Sequence, residues 1–162
     1  SYPGGVHLDK IAEQGDENAF TLPHPTVQGS PFDFSFSGLK TAVINLIHNA
    51  SQKGEQLPVA DLSASFRKAV VDCLLKNVIL AMNDTNYKKL VIAGGVSANS
   101  LLRRRLQQEC KEKGWEIHMP ALNLCGDNAA MVGAQAYYEF LAGKIAGMDL
   151  NACAAMPIDN NF

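Results

Sequence analysis

Apolar residues along this chain switch repeatedly between helical and strand-like spacing, and the switches mark its elements. Leu62, Phe66, Ala69, Val70, Cys73, Leu74, Asn77, Val78 and Ala81 recur at i, i+4, i+7. That spacing lays one apolar stripe along a helix and predicts the longest element, Val59 to Met82, ended by the polar run 83–86. A shorter helix is predicted from Leu39 to Asn49, with Val43, Leu46 and Ile47 on one face, followed by a polar loop at 50–57. Phe32, Phe34 and Phe36 alternate with Asp33, Ser35 and Ser37, a period of two that predicts a half-buried strand broken by Gly38. Leu90-Val91-Ile92-Ala93 is wholly apolar and suits a central strand covered on both faces. Gly94-Gly95 stops it, and Ser97 is placed to cap a helix running to Lys113. Trp115, Ile117 and Met119 alternate with polar neighbours and predict another strand. Residues 120–126 read as a loop, and a last helix is expected from Asp127 to Ala142, ahead of a tail at 143–162.

Before the first strand, Tyr2-Pro3-Gly4-Gly5 reads as a turn and His7 to Gln14 as a short helix ended by Gly15. Residues 18–31 carry three prolines and read as an extended connector. The resulting order is strand–helix–helix–strand–helix–strand–helix, an α/β pattern rich in helix. Three strands are thin for a free-standing sheet, so further strands are expected from a segment outside this sequence.

The composition narrows the function classes. The 162 residues are 47% hydrophobic and 19% charged, enough to bury a core and unlike a disordered tail. The formal net charge of −2 does not advertise nucleic-acid binding, so any RNA contact must be local. Cys73, Cys110, Cys125 and Cys153 form no C-x-x-C pair and read as reduced thiols of a cytosolic protein. His7, His24, His48 and His118 form no H-x-x-x-H pair. No apolar run reaches the length of about 18 residues that a membrane span needs. The chain opens on Ser1 rather than Met and is read as part of a longer protein, which leaves targeting signals unreadable.

Three places combine residues that could carry chemistry. At 90–99 an apolar strand meets Gly94-Gly95 and a helix start. Glycines let a ligand approach the backbone, the helix end favours an anion, and the Asn99 amide could read a ribose. The bland alternative is a glycine turn with a serine cap. At 125–128, Asp127 sits where an N-cap belongs, with Asn128 as the alternative; read functionally, its carboxylate could hold a metal. An open α/β sheet binds ligands beyond the carboxyl ends of its strands, and both features are expected at that edge. At the N-terminus, Gly4-Gly5 and Asp9 could meet a ligand hydroxyl or form a plain turn and a solvated aspartate. Arg103-Arg104-Arg105, with Lys111 and Lys113, make one helix basic. That is a solvated face or an RNA-backbone contact, and no aromatic stacking platform accompanies it. Ser35 and Ser37 lack the histidine and aspartate of a serine hydrolase.

Taken together, Tyr-Pro-Gly-Gly at 2–5, Phe-Asp-Phe-Ser-Phe-Ser-Gly-Leu-Lys-Thr at 32–41, Val-Ile-Ala-Gly-Gly-Val-Ser-Ala-Asn at 91–99 and Asp-Asn-Ala-Ala-Met at 127–131 resemble the TsaD family, also called Gcp or YgjD. The motifs stand in the family's order over nearly the whole chain. Archaeal and eukaryotic relatives belong to the KEOPS complex. The resemblance implies an actin-like ATPase (ASKHA, RNase-H-like) fold, of which residues 1–162 would be the C-terminal portion: a second lobe lacking its N-terminal strands, with the first lobe absent. It implies transfer of threonylcarbamoyl from threonylcarbamoyl-AMP to N6 of adenosine 37 in tRNAs reading codons that begin with A (t6A formation). Gly5, Asp9, Gly94, Gly95 and Asn99 would line the adenylate site. Asp127 would ligate Fe2+ or Zn2+, with the other ligands from an H-x-x-x-H motif upstream of Tyr2. No catalytic side chain is assigned within this sequence. Glycine turns holding the adenylate would align its carbonyl for attack by the adenine amine, and the metal would act as a Lewis acid. The implied partners are tRNA, TsaB-like and TsaE-like proteins, and the implied location is the cytoplasm.

Two departures qualify the expectation. The histidine pair and the upstream phosphate turn are missing, so this segment alone is expected to bind metal poorly and to be inactive. Gly126 stands where many members carry threonine, which is expected to loosen the start of the last helix. Two alternatives remain: a non-catalytic dimerisation or nucleotide-binding module of the same superfamily, and the metal-dependent glycoprotein endopeptidase of older family labels. With one lobe missing, the segment is expected to self-associate through exposed apolar surface.

Overall fold

In the computed structural model, which describes residues 4–155, the organising element is a helix rather than a sheet. The described elements are α1 (Gly4–Ala12), α2 (Ser37–Gln52), α3 (Val59–Thr85), β1 (Lys89–Val91), α4 (Ser100–Lys113), β2 (Glu116–His118) and α5 (Ala129–Leu141), with 3-10 turns at Gly95–Ala98 and Leu122–Leu124. The chain divides after Gly126 into two compact units.

In the first unit, α3 is covered on more than one side. Val71 and Leu75 pack with Leu101, Leu102 and Leu106 of α4, with Leu90 and Ile117 of the sheet, and with Ile92 just after β1. On another side, Ala69 meets Leu22 and Leu39, joined by Phe20, Val43, Leu46, Phe66 and Val70. Near its end, Met82 packs with Cys110 and Trp115. This is why the single-stripe expectation for α3 is incomplete: Val71 and Leu75 lie off the predicted stripe, yet are buried. Asn86, in the left-handed conformation that asparagine tolerates, ends the helix.

β1 and β2 pair in parallel, Lys89 opposite Glu116, Leu90 opposite Ile117 and Val91 opposite His118, with α4 as the crossover. Helices cover one face of this two-stranded sheet. Val91, expected at the centre of a doubly covered strand, is 70% exposed.

The predicted strand at 32–37 does not form. Asp33 and the phenylalanines adopt irregular backbone, and Ser37 and Gly38 already belong to α2. Alternation specifies a strand only where a partner strand takes up its backbone groups. Here Asp33 O accepts from Asn77 Nδ2 of α3 (2.8 Å), and Phe36 O accepts from Lys40 N–H inside α2 (2.9 Å). Ile47, predicted on the inner face of α2, is exposed. The N-terminal turn expectation falls partly on Tyr2 and Pro3, outside the described residues; Gly4 and Gly5 are the first residues of α1. At Gly15 the chain passes so close to α3 that an added Cβ would collide with the Ala60 carbonyl.

The second unit contains α5, capped by Asn128 rather than Asp127: Asn128 Oδ1 accepts from Met131 N–H at 3.1 Å. None of its helical residues is buried. No helix among the described residues is long and apolar enough to cross a membrane.

Candidate functional site

The glycine bend follows β1. Gly94 adopts φ +84°, a conformation favouring glycine, and open space lies where a Cβ would project from Gly94 or Gly95. Glycine at 94 is therefore required by the backbone angle and not by crowding. The 3-10 turn Gly95–Ala98 then leads into α4, so the expected serine cap is displaced. Asn99 caps α4, its Oδ1 accepting from Leu102 N–H at 2.9 Å, while Ser97 is buried within the turn.

Asp9 reaches this same helix end from α1. Its Oδ2 accepts from Ser100 N–H at 3.0 Å, and its Oδ1 accepts from Asn99 Nδ2 at 3.1 Å. Two residues predicted to line one site are thus in direct contact across 90 positions of sequence. The contact has a cost in availability. Both ends of the Asn99 amide already have protein partners, and the start of α4 already holds a carboxylate. Gly5 lies in the first turn of α1 with open space at its Cβ position.

Beneath Asp9 lies a cation that the sequence reading missed. Arg67 of α3 is 5% exposed and donates through Nη1 to Asp9 Oδ1 (3.0 Å) and Glu13 Oε1 (2.7 Å). Its Nη2 donates to Ala12 O at 3.3 Å. Ser100 Oγ lies 2.8 Å from Glu13 Oε1 and 3.1 Å from Asp9 Oδ1, and its single proton serves one of them at a time. The hydrogen bond from Ser100, followed by that from Arg67, holds the Glu13 carboxyl below its ordinary value. Burial opposes the charge on Arg67, but the hydrogen bonds to Asp9 and Glu13 outweigh it and raise the guanidinium pKa. The sequence did carry a signal. Arg67 falls at helical spacing between Ala64 and Val71, both buried, and a cation on such a face needs anions nearby.

The three consecutive arginines have separate surroundings. Arg103 Nη1 donates to Ser97 O (3.0 Å) and Nη2 to Pro120 O (2.8 Å), with Cys125 Sγ 3.7 Å from Nη1. It clamps the glycine bend to the loop before Gly126. Arg105 pairs with Asp72 of α3 at 2.6 Å. Arg104 is exposed while Arg103 and Arg105 are half-buried, so the basic run is not a continuous RNA-facing stripe.

Asp127 belongs to the second unit and immediately precedes the Asn128 cap. Among the described residues, no three histidine, cysteine, aspartate or glutamate side chains gather as a metal site. One carboxylate does not fit an iron or zinc ion by itself, since protein sites for these metals use three or four ligands.

Comparison with known proteins agrees with the motifs. The sequence pattern of the family described as "TsaD: tRNA N6-adenosine threonylcarbamoyltransferase" matches residues 1–134. The chain is similar to a protein named tRNA N6-adenosine threonylcarbamoyltransferase from Clostridium botulinum (strain Kyoto / Type A2), with 46% identity over 151 residues, covering 93% of this chain and 44% of the relative. A protein of the same name from Moorella thermoacetica is 42% identical over 158 residues, covering 98% of this chain and 46% of the relative. Another, from Listeria welshimeri, is 47% identical over 154 residues, covering 94% of this chain and 44% of the relative. The chain spans less than half the length of these relatives. With the family's pattern matched over residues 1–134, well over half of the sequence, this chain belongs to the TsaD family.

Proposed function

We propose that this chain is the C-terminal portion of a tRNA N6-adenosine threonylcarbamoyltransferase. The parent would carry threonylcarbamoyl from threonylcarbamoyl-AMP to N6 of adenosine 37 in tRNAs reading codons that begin with A. The observation that carries the reading is the Asp9–Asn99 contact beside the Gly94-Gly95 bend, in a chain whose family takes its name from this transfer. On this reading the chain forms part of an actin-like second lobe. Gly5, Asp9, Gly94, Gly95 and Asn99 serve the adenylate, and the parent works in the cytoplasm with TsaB-like and TsaE-like partners.

The residues support a positioning role. Asp9 is held by Arg67 and Ser100, and Asn99 by Asp9 and the Leu102 N–H, so the polar groups near the bend are fixed before a ligand arrives. A pre-set site spends less of its binding free energy on ordering. For Asp127 we propose one oxygen of an iron or zinc site in the parent, completed by ligands from outside this sequence. This chain alone does not make that centre and is expected to be inactive.

The test joins this chain to the missing portion of its parent and measures threonylcarbamoyladenosine in tRNA with the partner proteins present. Formation of the modified base by the intact parent, and none by this chain alone, is the expected result. An intact, folded parent that leaves adenosine 37 unmodified would sink the reading.

A further inference from the structure

Phe34 and Phe36 are 45% and 38% exposed. Their rings are nearly parallel, 8° apart, with centroids separated by 6.3 Å. The backbone that presents them is fixed. Asp33 O accepts from Asn77 Nδ2 at 2.8 Å, Asp33 N–H donates to Ser30 O at 3.2 Å, and Phe36 O is engaged by α2. Beside the pair, Phe34 shares a small surface depression with His24, Lys76 and Asn77. Lys76 is exposed, as is Lys40 in the first turn of α2.

We propose that Phe34 and Phe36 form a stacking surface for an unpaired nucleobase of RNA, with Lys76 placed to meet the adjoining phosphate. The proposal rests on the transferase reading, which makes RNA the relevant polymer. A base can extend an existing ring stack because every base offers a flat π face, and a nearby cation supplies the backbone term. An apolar peptide fits less well. The rings are interleaved with Asp33 and Ser35, and in the depression beside them His24, Thr26, Lys76 and Asn77 alternate with Phe34, Pro25 and Cys73, so no continuous aliphatic groove runs past the rings.

The experiment measures binding of the 162-residue chain to a fluorescein-labelled single-stranded oligoriboadenylate and to a blunt-ended RNA hairpin. Replacing both rings, Phe34→Leu with Phe36→Leu, is expected to weaken single-strand binding about tenfold or more. The hairpin should be nearly unaffected. Phe34→Tyr with Phe36→Tyr keeps flat rings and should restore the single-strand affinity. Lys76→Gln should flatten the dependence of binding on salt. Should the leucine variant fail to fold, photo-cross-linking of 4-thiouridine RNA to the unaltered chain replaces it, with adducts expected at residues 32–36. Equal single-strand affinity for the leucine variant and the unaltered chain overturns the proposal, as does no RNA binding, or adducts mapping only elsewhere. The transferase reading fails separately, in the modification assay on the intact parent. A parent that binds RNA through these rings yet leaves tRNA unmodified sinks that reading alone.

Discussion

Asp9 Oδ2 accepts the backbone N–H of Ser100 at 3.0 Å, and through that bond α1 is fastened to the first turn of α4. A carboxylate at this place meets an unpaired helical N–H and the positive end of the helix dipole. The other oxygen is held by Arg67, so one side chain ties three helices together.

Removing either partner of that pair should be costly, because loss of Arg67 leaves Asp9 and Glu13 without their shared cation, and loss of Asp9 leaves the buried Arg67 with Glu13 alone and frees the first turn of α4 from α1. Arg67→Ala and Asp9→Ala are each expected to destabilise the fold by about 3 kcal/mol or more. Their effects should not add, with a coupling of about 1–3 kcal/mol in a double-mutant cycle measured by urea denaturation. Additive losses would show that the two residues act independently.

Glu13 gives a pH-dependent contribution of known sign. Its carboxyl is depressed in the folded chain from an ordinary value of 4.5, first by Ser100 and then by Arg67. The folded state therefore binds fewer protons than the unfolded one in that region. The stabilisation is fully present above pH 4.5 and is lost as pH falls through the lower folded value. Glu13 is 46% exposed, so the contribution is modest, about 1 kcal/mol or less after solvent screening. The stability gap between the unaltered chain and Glu13→Gln, followed by thermal melting, should be constant near neutrality and close as pH drops below 4.5.

Arg103→Ala should release the glycine bend from the loop at 120–125. The expected loss is about 2 kcal/mol for two hydrogen bonds from a charged donor. Hydrogen exchange should quicken around residues 94–99 and 120–125 while α2 stays protected. Arg103→Lys should rescue little, since an ammonium lacks the planar fork that reaches both Ser97 O and Pro120 O.

Thiol chemistry offers an independent check on the packing. Cys73, Cys110 and Cys125 are buried and Cys153 is exposed. Burial also raises the pKa of Cys73, with Asp72 adding to it, and that of Cys110, with Glu109 adding to it. A thiol reagent should react quickly with Cys153 alone in native buffer and with all four cysteines after unfolding.

α5 exposes Met131, Val132, Tyr137, Tyr138, Phe140 and Leu141. Surface of this kind favours association. Light scattering should report a mass above that of one chain, rising with concentration, and Val132→Glu with Tyr138→Glu should lower it. A constant single-chain mass across concentrations would count against the expectation.

The sequence made the helices legible because their apolar spacing is local. Val59 begins both the predicted and the observed long helix, and Lys113 ends both versions of α4. It misjudged features decided by distant partners. Ser97, Asn99 and Ser100 are all capping-competent types, and the cap falls at Asn99, where Asp9 from another helix also binds. Asp127 and Asn128 posed the same choice, resolved towards Asn128. The alternating phenylalanines had the pattern of a strand without a strand to pair with. Arg103, Arg104 and Arg105 are identical in sequence, yet Pro120 and Asp72 decide what the first and third do. Of the candidate site, residue types and motif order were readable, and so was the helical spacing of Arg67; its partners Asp9 and Glu13, which come from α1 and the residue just after it, were not.

Gly15 gives position 15 a mechanical importance that no ligand contact would reveal. Any side chain there would push against the Ala60 carbonyl and lever the end of α1 away from α3. Because Asp9, Ala12 and Glu13 all reach Arg67 from that short stretch, the displacement would loosen every one of those bonds at once. A single missing methyl group thus acts as the hinge pin for the whole ionic cluster.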